Sequence, residues 1–309
     1  MIKQKEYARR RRQLMRMAGD DAIIILQAAP ARIRNNDAHY PYRQDSDFLY
    51  LTGFNEHDAL LVMVTSEEGG ACILFCRERD TTREMWDGRM VGLDNAVREY
   101  GMDEAYDIEE VGKKLREMLQ DRERIFYDLG RDPLFDQRLI GWLNEFRGTS
   151  RKTFHAPEEI HALDHMLHDM RVYKSREELA VMRRSAKVAI EAHETAMQSC
   201  VPGMNEADIH ADLMHTFIRN HCEASYVPIV AGGANACVLH YISNNEELKD
   251  GDLLLIDAGA ELDGYASDIT RTFPVNGAFS PEQRALYEVV LEAQHVAIDK
   301  VRAGQQWQD

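Results

Sequence analysis

The sequence predicts a mixed α/β (α+β) protein of two domains, and three observations carry that prediction. Its 309 residues are about twice what one ordinary domain needs. Short apolar runs alternate with amphipathic segments from about residue 22 to 150. The composition then turns polar and His-rich, and near Tyr173 a long helical pattern opens a second set of strands. The expected division is a mixed α/β domain over 1–172 and a second domain over 173–309.

In the first domain "AIIILQ", "FLYLTG", "ALLVMVT", "ACILFC" and "RIFYDLG" read as strands. The segments "NAVREYG", "EEVGKKLREMLQ" and "PLFDQRLIGWLNEF" read as helices. The basic start reads as a helix feeding a strand, because "AIIIL" is shorter than the roughly 7 to 15 apolar residues of a signal-peptide core. Arg9 to Arg12 read as a solvated helix face rather than a nucleic-acid contact.

In the second domain Ser175 and Glu178 have the spacing of a capping box ahead of a long helix, which "VPG" ends. "NEADIHADLMHTFIRNHC" reads as the next helix, followed by strand-like "YVPIVAGG", "CVLHYIS" and "DLLLIDAGAEL". Ser280 as N-cap and Pro281 at the first helical position start a final helix. The last residues, "QQWQD", carry no signal of a domain's end, so this domain is expected to be incomplete.

Composition excludes several function classes. The formal net charge of −16 disfavours a general phosphate or anionic-lipid surface. No apolar run approaches the roughly 18 residues of a membrane span. Five cysteines in no paired framework fit a reducing cytoplasm. Cys72 and Cys76 lie in "ACILFC" and read as buried thiols, since no second close pair follows to complete a zinc site.

The segment "LIDAGAELDGYASDITRTFPVNG" carries the chemistry, because Asp257 and Asp268 interrupt two apolar runs. Read as a hairpin, three registers are open. A two-residue Asp263-Gly264 turn sets Asp257 opposite Thr270 and Asp268 opposite Gly259, which makes the carboxylates diagonal neighbours on one face. Centring the turn on Leu262-Asp263 makes them directly opposite, and a three-residue loop splits them across the two faces. Either they share a face and need a shared proton, Arg271 or a divalent cation, or they point into water on a wet sheet face. Oxygen donors of this kind suit Mn, Mg or Co better than a structural zinc.

Other segments are weaker. His240 is expected to end a strand, "CVLHYI", either within reach of the carboxylates as an acid/base or only hydrogen-bonded in the sheet. His161, His165 and His168 share a face if "HALDHMLHDM" is one helix, but Ala162 stands where the zinc-peptidase motif needs Glu, so no metal site is expected. Trp86 reads as lying in a loop, either exposed for a contact or tucked beside Met85 and Met90. The polar cluster of Asp37, Tyr40, Tyr42, Arg43, Asp45 and Asp47 reads as self-satisfied surface ahead of a strand.

These segments resemble, in order and over nearly the whole chain, the bacterial type of Xaa-Pro aminopeptidase (aminopeptidase P). The resemblance is carried by "YPYRQDSDFLYLTGFNEHDALLV", "REMWDGRMVG", "MRVYKSREELAVMRRSAKVA", "SYVPIVAGG", "CVLHYISNN" and "LIDAGAELDGYASDITRTFPVNGAFS". It implies an N-terminal α/β domain, a "pita-bread" metallopeptidase domain, and removal of the first residue from peptides with proline second. It implies a dinuclear site, usually manganese, with Asp257 and Asp268 as its first two ligands. By the same resemblance His240 assists the tetrahedral intermediate, Tyr226 lines the pocket for the first residue, and Asp37 and Trp86 bind substrate by reaching a neighbouring subunit's active site in a homodimer or homotetramer. The family's other ligands, one His and two Glu, and its general base fall beyond residue 309. The chain is therefore expected to hold two of five ligands and to be an inactive part of an enzyme. The rival readings are a non-catalytic pita-bread binding or assembly module and an amidine hydrolase like creatinase, which needs no metal and so no Asp pair.

Overall fold

The computed structural model describes residues 2–67, 69–148, 155–306 and 308. The chain divides into two compact units, Met1–Glu178 and Leu179–Asp309.

Unit 1 runs α1 (Gln4–Ala18), β1 (Ala22–Gln27), β2 (Ile33–Asn35), β3 (Ala38–His39), α2 (Ser46–Thr52), β4 (Leu60–Ser66), β5 (Gly69–Cys76) and α3 (Thr81–Asp87). It continues through α4 (Gly92–Tyr100), β6 (Glu104–Asp107), α5 (Val111–Leu119), β7 (Arg124–Phe126), α6 (Pro133–Gly148), β8 (Glu159–His161) and α7 (Asp164–Val172). A mixed sheet in the order β6-β5-β4-β1-β7-β8 is its frame. Ile24 and Leu26 of β1 join one apolar cluster with Leu14 of α1, Phe48 of α2 and Leu167 of α7. Ile23 and Ile25 join another with Leu115 of α5 and Trp142 of α6. Covered on both faces, β1 has no wet side, which is why "AIIIL" is apolar without alternation.

Four sequence expectations fail in this unit. "FLYLTG" is the helix α2, not a strand: the Asp45 carboxylate accepts from the N–H groups of Asp47 and Phe48, and Gly53 ends the helix at φ 67°. Phe48 and Leu51 then fall one turn apart on the core side.

Arg10 and Arg11 are buried rather than solvated. Arg10 donates to the Tyr50 carbonyl at 2.9 Å and pairs with Glu178 at 3.3 Å, while Arg11 donates to the Leu51 carbonyl at 2.9 Å and the Gly101 carbonyl at 2.8 Å. The two guanidiniums satisfy carbonyls that α2 and α4 leave unpaired at their C-terminal ends.

His161, His165 and His168 do not share a helix. His161 belongs to β8, opposite Phe126 in a parallel pairing, and only the other two lie on α7. Trp86 also lies on a helix, α3, rather than in a loop.

Unit 2 takes up the long helix α8 (Arg176–Ser199), whose first turn contains the division between the units. The expected capping box is formed, with Ser175 N–H donating to Glu178 at 2.8 Å and Glu178 N–H donating to Ser175 Oγ at 3.3 Å. Then follow α9 (Glu206–Arg219), β9 (Glu223–Ala224), β10 (Ile229–Gly232), β11 (Leu253–Ala258), β12 (Ala260–Leu262), β13 (Tyr265–Ala266), β14 (Ile269–Pro274) and α10 (Pro281–Lys300). Ser280 caps α10 in a second capping box with Gln283. The strands form two three-stranded sheets, β10-β11-β14 and β13-β12-β9.

"CVLHYI" forms no strand. The outer edge of β10 is occupied instead by a side chain: Val230 N–H donates to Asn244 Oδ1 at 2.9 Å, and Asn244 Nδ2 donates to the Pro228 carbonyl at 2.8 Å. His240 consequently sits in a turn of the loop between β10 and β11. Cys72, Cys76, Cys200 and Cys222 are buried free thiols, and Cys237, in the same loop as His240, is an exposed one.

Candidate metal centre

The hairpin takes the register of the Asp263-Gly264 turn. Leu262 pairs with Tyr265, Glu261 with Ala266 and Asp257 with Thr270. Asp263 at φ 51° and Gly264 at φ 78° both have the positive φ of the tight turn that matches strand twist. Asp257 and Asp268 therefore point to one face, the first half-buried and the second exposed.

Between these pairings the strands bend. Gly259 has no room for a side chain, since a Cβ there would stand 1.7 Å from the Ser267 carbonyl oxygen. Ser267 N–H donates to the Ala260 carbonyl at 2.9 Å, and Ser225 N–H donates to the Gly259 carbonyl at 2.9 Å. The close approach turns one long hairpin into two sheets and sets Asp268 at the bend.

Tyr226 comes to the same face by a different route. Ala224 pairs with Ala260 and Ile229 with Asp257, so the chain between Ala224 and Ile229 is longer than the strand it faces, and the surplus bulges out. Tyr226 lies in that surplus, and its hydroxyl is 2.5 Å from Asp257 Oδ1 and 3.0 Å from Asp268 Oδ1. Burial, then the Asp257 and Asp268 carboxylates, push the phenol far above its ordinary range. It is a permanent donor at neutral pH, and it relieves part of the repulsion between the carboxylates.

The structure thus brings Asp257, Asp268 and Tyr226 together. His240 is exposed, and among the described residues no hydrogen bond joins it to these three. Asp37 lies in the exposed turn between β2 and β3, and Trp86 is 86% exposed on α3, both in unit 1. The oxygen donors fit one side of a site for a hard or borderline divalent ion. Among the described residues no group of three or more His, Cys, Asp or Glu completes it.

Residues 180–309 match metallopeptidase family M24, and residues 7–127 match the aminopeptidase P N-terminal domain. The Xaa-Pro aminopeptidase of Escherichia coli K12 is 40% identical over 98% of this chain and 69% of its own length. The chain belongs to the Xaa-Pro aminopeptidase family. The solved Pseudomonas aeruginosa aminopeptidase PepP superposes with a TM-score of 0.96 at 49% identity, over 100% of this chain and 70% of that one. A zinc-substituted Escherichia coli aminopeptidase P in complex with product superposes with a TM-score of 0.94 at 40% identity, over 97% and 69%. An N-terminal domain followed by the pita-bread domain is the architecture of the Xaa-Pro aminopeptidases, a metal-dependent peptidase family acting on peptides.

Two buried polar residues of unit 2 carried no signal in the sequence. Glu206 has the look of an ordinary acid in a first helical turn, yet it is fully buried. His193 looks like one polar position of α8, yet it is buried with its Nε2 at 3.2 Å from the Ala258 carbonyl, next to Asp257. Since a carbonyl only accepts, the proton is on Nε2, and among the described residues Nδ1 has no partner.

Burial is the largest influence on His193 and pulls its pKa below the ordinary 6.5, with Arg271 adding to it, against the Ala258 and Ile269 carbonyls and Asp257. Burial shifts His210 of α9 the same way. Both rings are neutral when folded and titrate at the higher value when unfolded, so the unfolded chain binds more protons in the window below about pH 6.5. The stability of unit 2 is expected to be level above that pH and to fall below it, by at most about 1.4 kcal/mol per pH unit for each ring. Urea unfolding between pH 7.5 and 5.5 checks this. His193→Gln, whose amide can still donate to Ala258, should flatten the slope; an equal slope in that variant rejects His193 as its source.

Proposed function

We propose that the chain supplies part of the active site of a metal-dependent aminopeptidase that releases the first residue of peptides with proline second, using manganese. One observation carries the reading: Asp257, Asp268 and the Tyr226 hydroxyl converge on one face of the hairpin. Asp257 and Asp268 are the ligands present here. When bound, a pair of such ions lowers the pKa of a shared water and polarises the scissile carbonyl.

The protein's own groups have narrower roles. The Tyr226 hydroxyl holds both Oδ1 atoms in place and lines the pocket for the first residue. His240, on its exposed loop, meets the peptide carbonyl as a hydrogen-bond donor when the tetrahedral intermediate forms. Asp37 and Trp86 are assigned to contact with a neighbouring subunit's peptide in a homodimer or homotetramer. Free thiols throughout support a cytoplasmic location.

The 309 residues by themselves present two carboxylates, which bind a divalent ion weakly, so on their own they are proposed to be inactive. The same observation favours the second reading, a pita-bread module that binds a peptide or partner without cleaving it.

Release of the first residue from Ala-Pro-Ala and Ala-Ala-Ala, with manganese, separates the two. The assay compares the chain alone with a fusion to the part of the Escherichia coli relative outside the matched 69%. The peptidase reading expects no turnover by the chain alone and proline-dependent turnover by the fusion. Equal turnover by both means that the ligand count is wrong. A folded fusion that binds manganese and cleaves neither peptide supports the binding module.

A further inference from the structure

Glu206 opens α9 and is wholly buried, and its two oxygens divide the loop 232–246 between them. Oε1 accepts from the Gly232 N–H at 2.8 Å and from Asn235 Nδ2 at 3.0 Å, where the loop leaves β10. Oε2 accepts from the Tyr241 hydroxyl at 2.7 Å and from the Glu246 N–H at 3.0 Å, where the loop returns. Asn235 Nδ2 also donates to the Tyr241 oxygen at 3.1 Å, closing the ring of contacts beneath the turn that carries His240.

Further along, Asn244 is tied to the edge of β10 and the Glu246 carbonyl accepts from the Glu206 N–H at 2.9 Å, but these anchors lie past the turn itself. Val238, Leu239, His240 and Ile242 are exposed, Leu239 by 88%, so no apolar burial fixes the chain on either side of the histidine. Burial alone would raise the Glu206 pKa, but the Gly232 N–H, the Asn235 amide, the Glu246 N–H and the Tyr241 hydroxyl together hold it below the ordinary carboxyl range. A charged acceptor is what four converging donors require.

We infer that Glu206 is a positioning residue: by tying both ends of the loop to one carboxylate, it keeps His240 in a fixed place relative to Asp257 and Asp268. This rests on the assignment of those three residues to one peptidase site. The chemistry makes the demand specific. In Glu206→Gln the amide oxygen can serve Gly232 and Asn235, but the NH2 group faces Tyr241 and Glu246. The Tyr241 hydroxyl can rotate to accept; the Glu246 N–H cannot. The returning end should loosen while the outgoing end stays.

The test uses the 309-residue chain, amide hydrogen exchange, and Mn2+ as a paramagnetic probe read by NMR. In Glu206→Gln the Glu246 amide should exchange about ten- to a hundredfold faster. Broadening of the His240 ring signal by Mn2+ should become weaker, while that of Thr270, opposite Asp257, persists. Glu206→Asp, which keeps the charge but is one methylene shorter, should recover part of the His240 signature. Unchanged Glu246 exchange and His240 broadening in a folded Glu206→Gln protein overturn the inference. If that variant does not fold, Tyr241→Phe, which removes only the hydroxyl, takes its place and should weaken His240 broadening in the same direction; no change overturns the inference. If Mn2+ broadens neither Thr270 nor His240 in the unmodified chain, the metal-site reading fails. The hold on the loop is then decided by Glu246 exchange and the His240 linewidth, with no change again overturning it.

Discussion

Asp268→Asn is expected to weaken manganese binding by about a hundredfold or more while leaving the metal-free chain no less stable. Loss of a hydrogen-bonding partner outside the first ring of ligands costs about 10 to 100-fold in metal affinity, and loss of a ligand costs at least as much. Here it also removes one of the two carboxylates that meet the Tyr226 hydroxyl, so an ion held between them would meet one formal charge instead of two. In the absence of metal the same change should be tolerated. Asp268 is exposed, and beside Asp257 it is a like charge that the Tyr226 proton partly offsets.

Those opposite outcomes separate a ligand from a structural residue. Titration of free Mn2+ by electron paramagnetic resonance, with thermal unfolding in excess chelator, measures both. Unchanged affinity removes Asp268 from the site, and a large loss of metal-free stability makes it a structural residue. Tyr226→Phe should fall between, losing about tenfold in affinity because both Oδ1 atoms lose their common donor.

Gly259→Ala should have the largest effect on stability of any single change in unit 2, a loss of more than about 4 kcal/mol. The added methyl would stand 1.7 Å from the Ser267 carbonyl oxygen and 2.6 Å from its carbon, both main-chain atoms that cannot rotate away. Relief requires the outgoing strand, β11 and β12, to move off the returning strand, β13 and β14, at this point, which breaks the Ser267 to Ala260 hydrogen bond. Hydrogen exchange read by mass spectrometry tests this peptide by peptide. Protection should be lost around 223–275 and kept in β1, β4 and β5 of unit 1. A variant with wild-type protection over the hairpin would show that the two strands can separate at small cost.

The sequence made some elements legible because one local force decided them. Asp263-Gly264 takes positive φ at both positions and so fixed the register that places two carboxylates on one face. Ser280 before Pro281, and Ser175 with Glu178, announced their helices by the signals of an N-terminus. Elements decided by distant contacts were not legible. "FLYLTG" has the composition of a strand, and as a helix capped by Asp45 and Gly53 it places Phe48 and Leu51 against distant residues, Leu14, Ile24 and Leu167. "CVLHYI" lost its place at the sheet edge to Asn244, a side chain arriving from further along the chain. Arg10 and Arg11 gave no sign of burial because their partners, the carbonyls at the ends of α2 and α4, are more than thirty residues away. In the site, a carboxylate pair could be read from the pattern, while Glu206 could not, since its four donors come from a loop whose shape depends on it.

The thiols give the loop an unplanned optical handle. Burial raises the pKa of Cys72, Cys76, Cys200 and Cys222 and so suppresses the reactive thiolate, while Cys237 stands exposed three positions from His240. A maleimide fluorophore added to the native fold should therefore go to Cys237 without any engineered cysteine. Its anisotropy would report, in an ordinary cuvette, how firmly the turn that carries His240 is fastened.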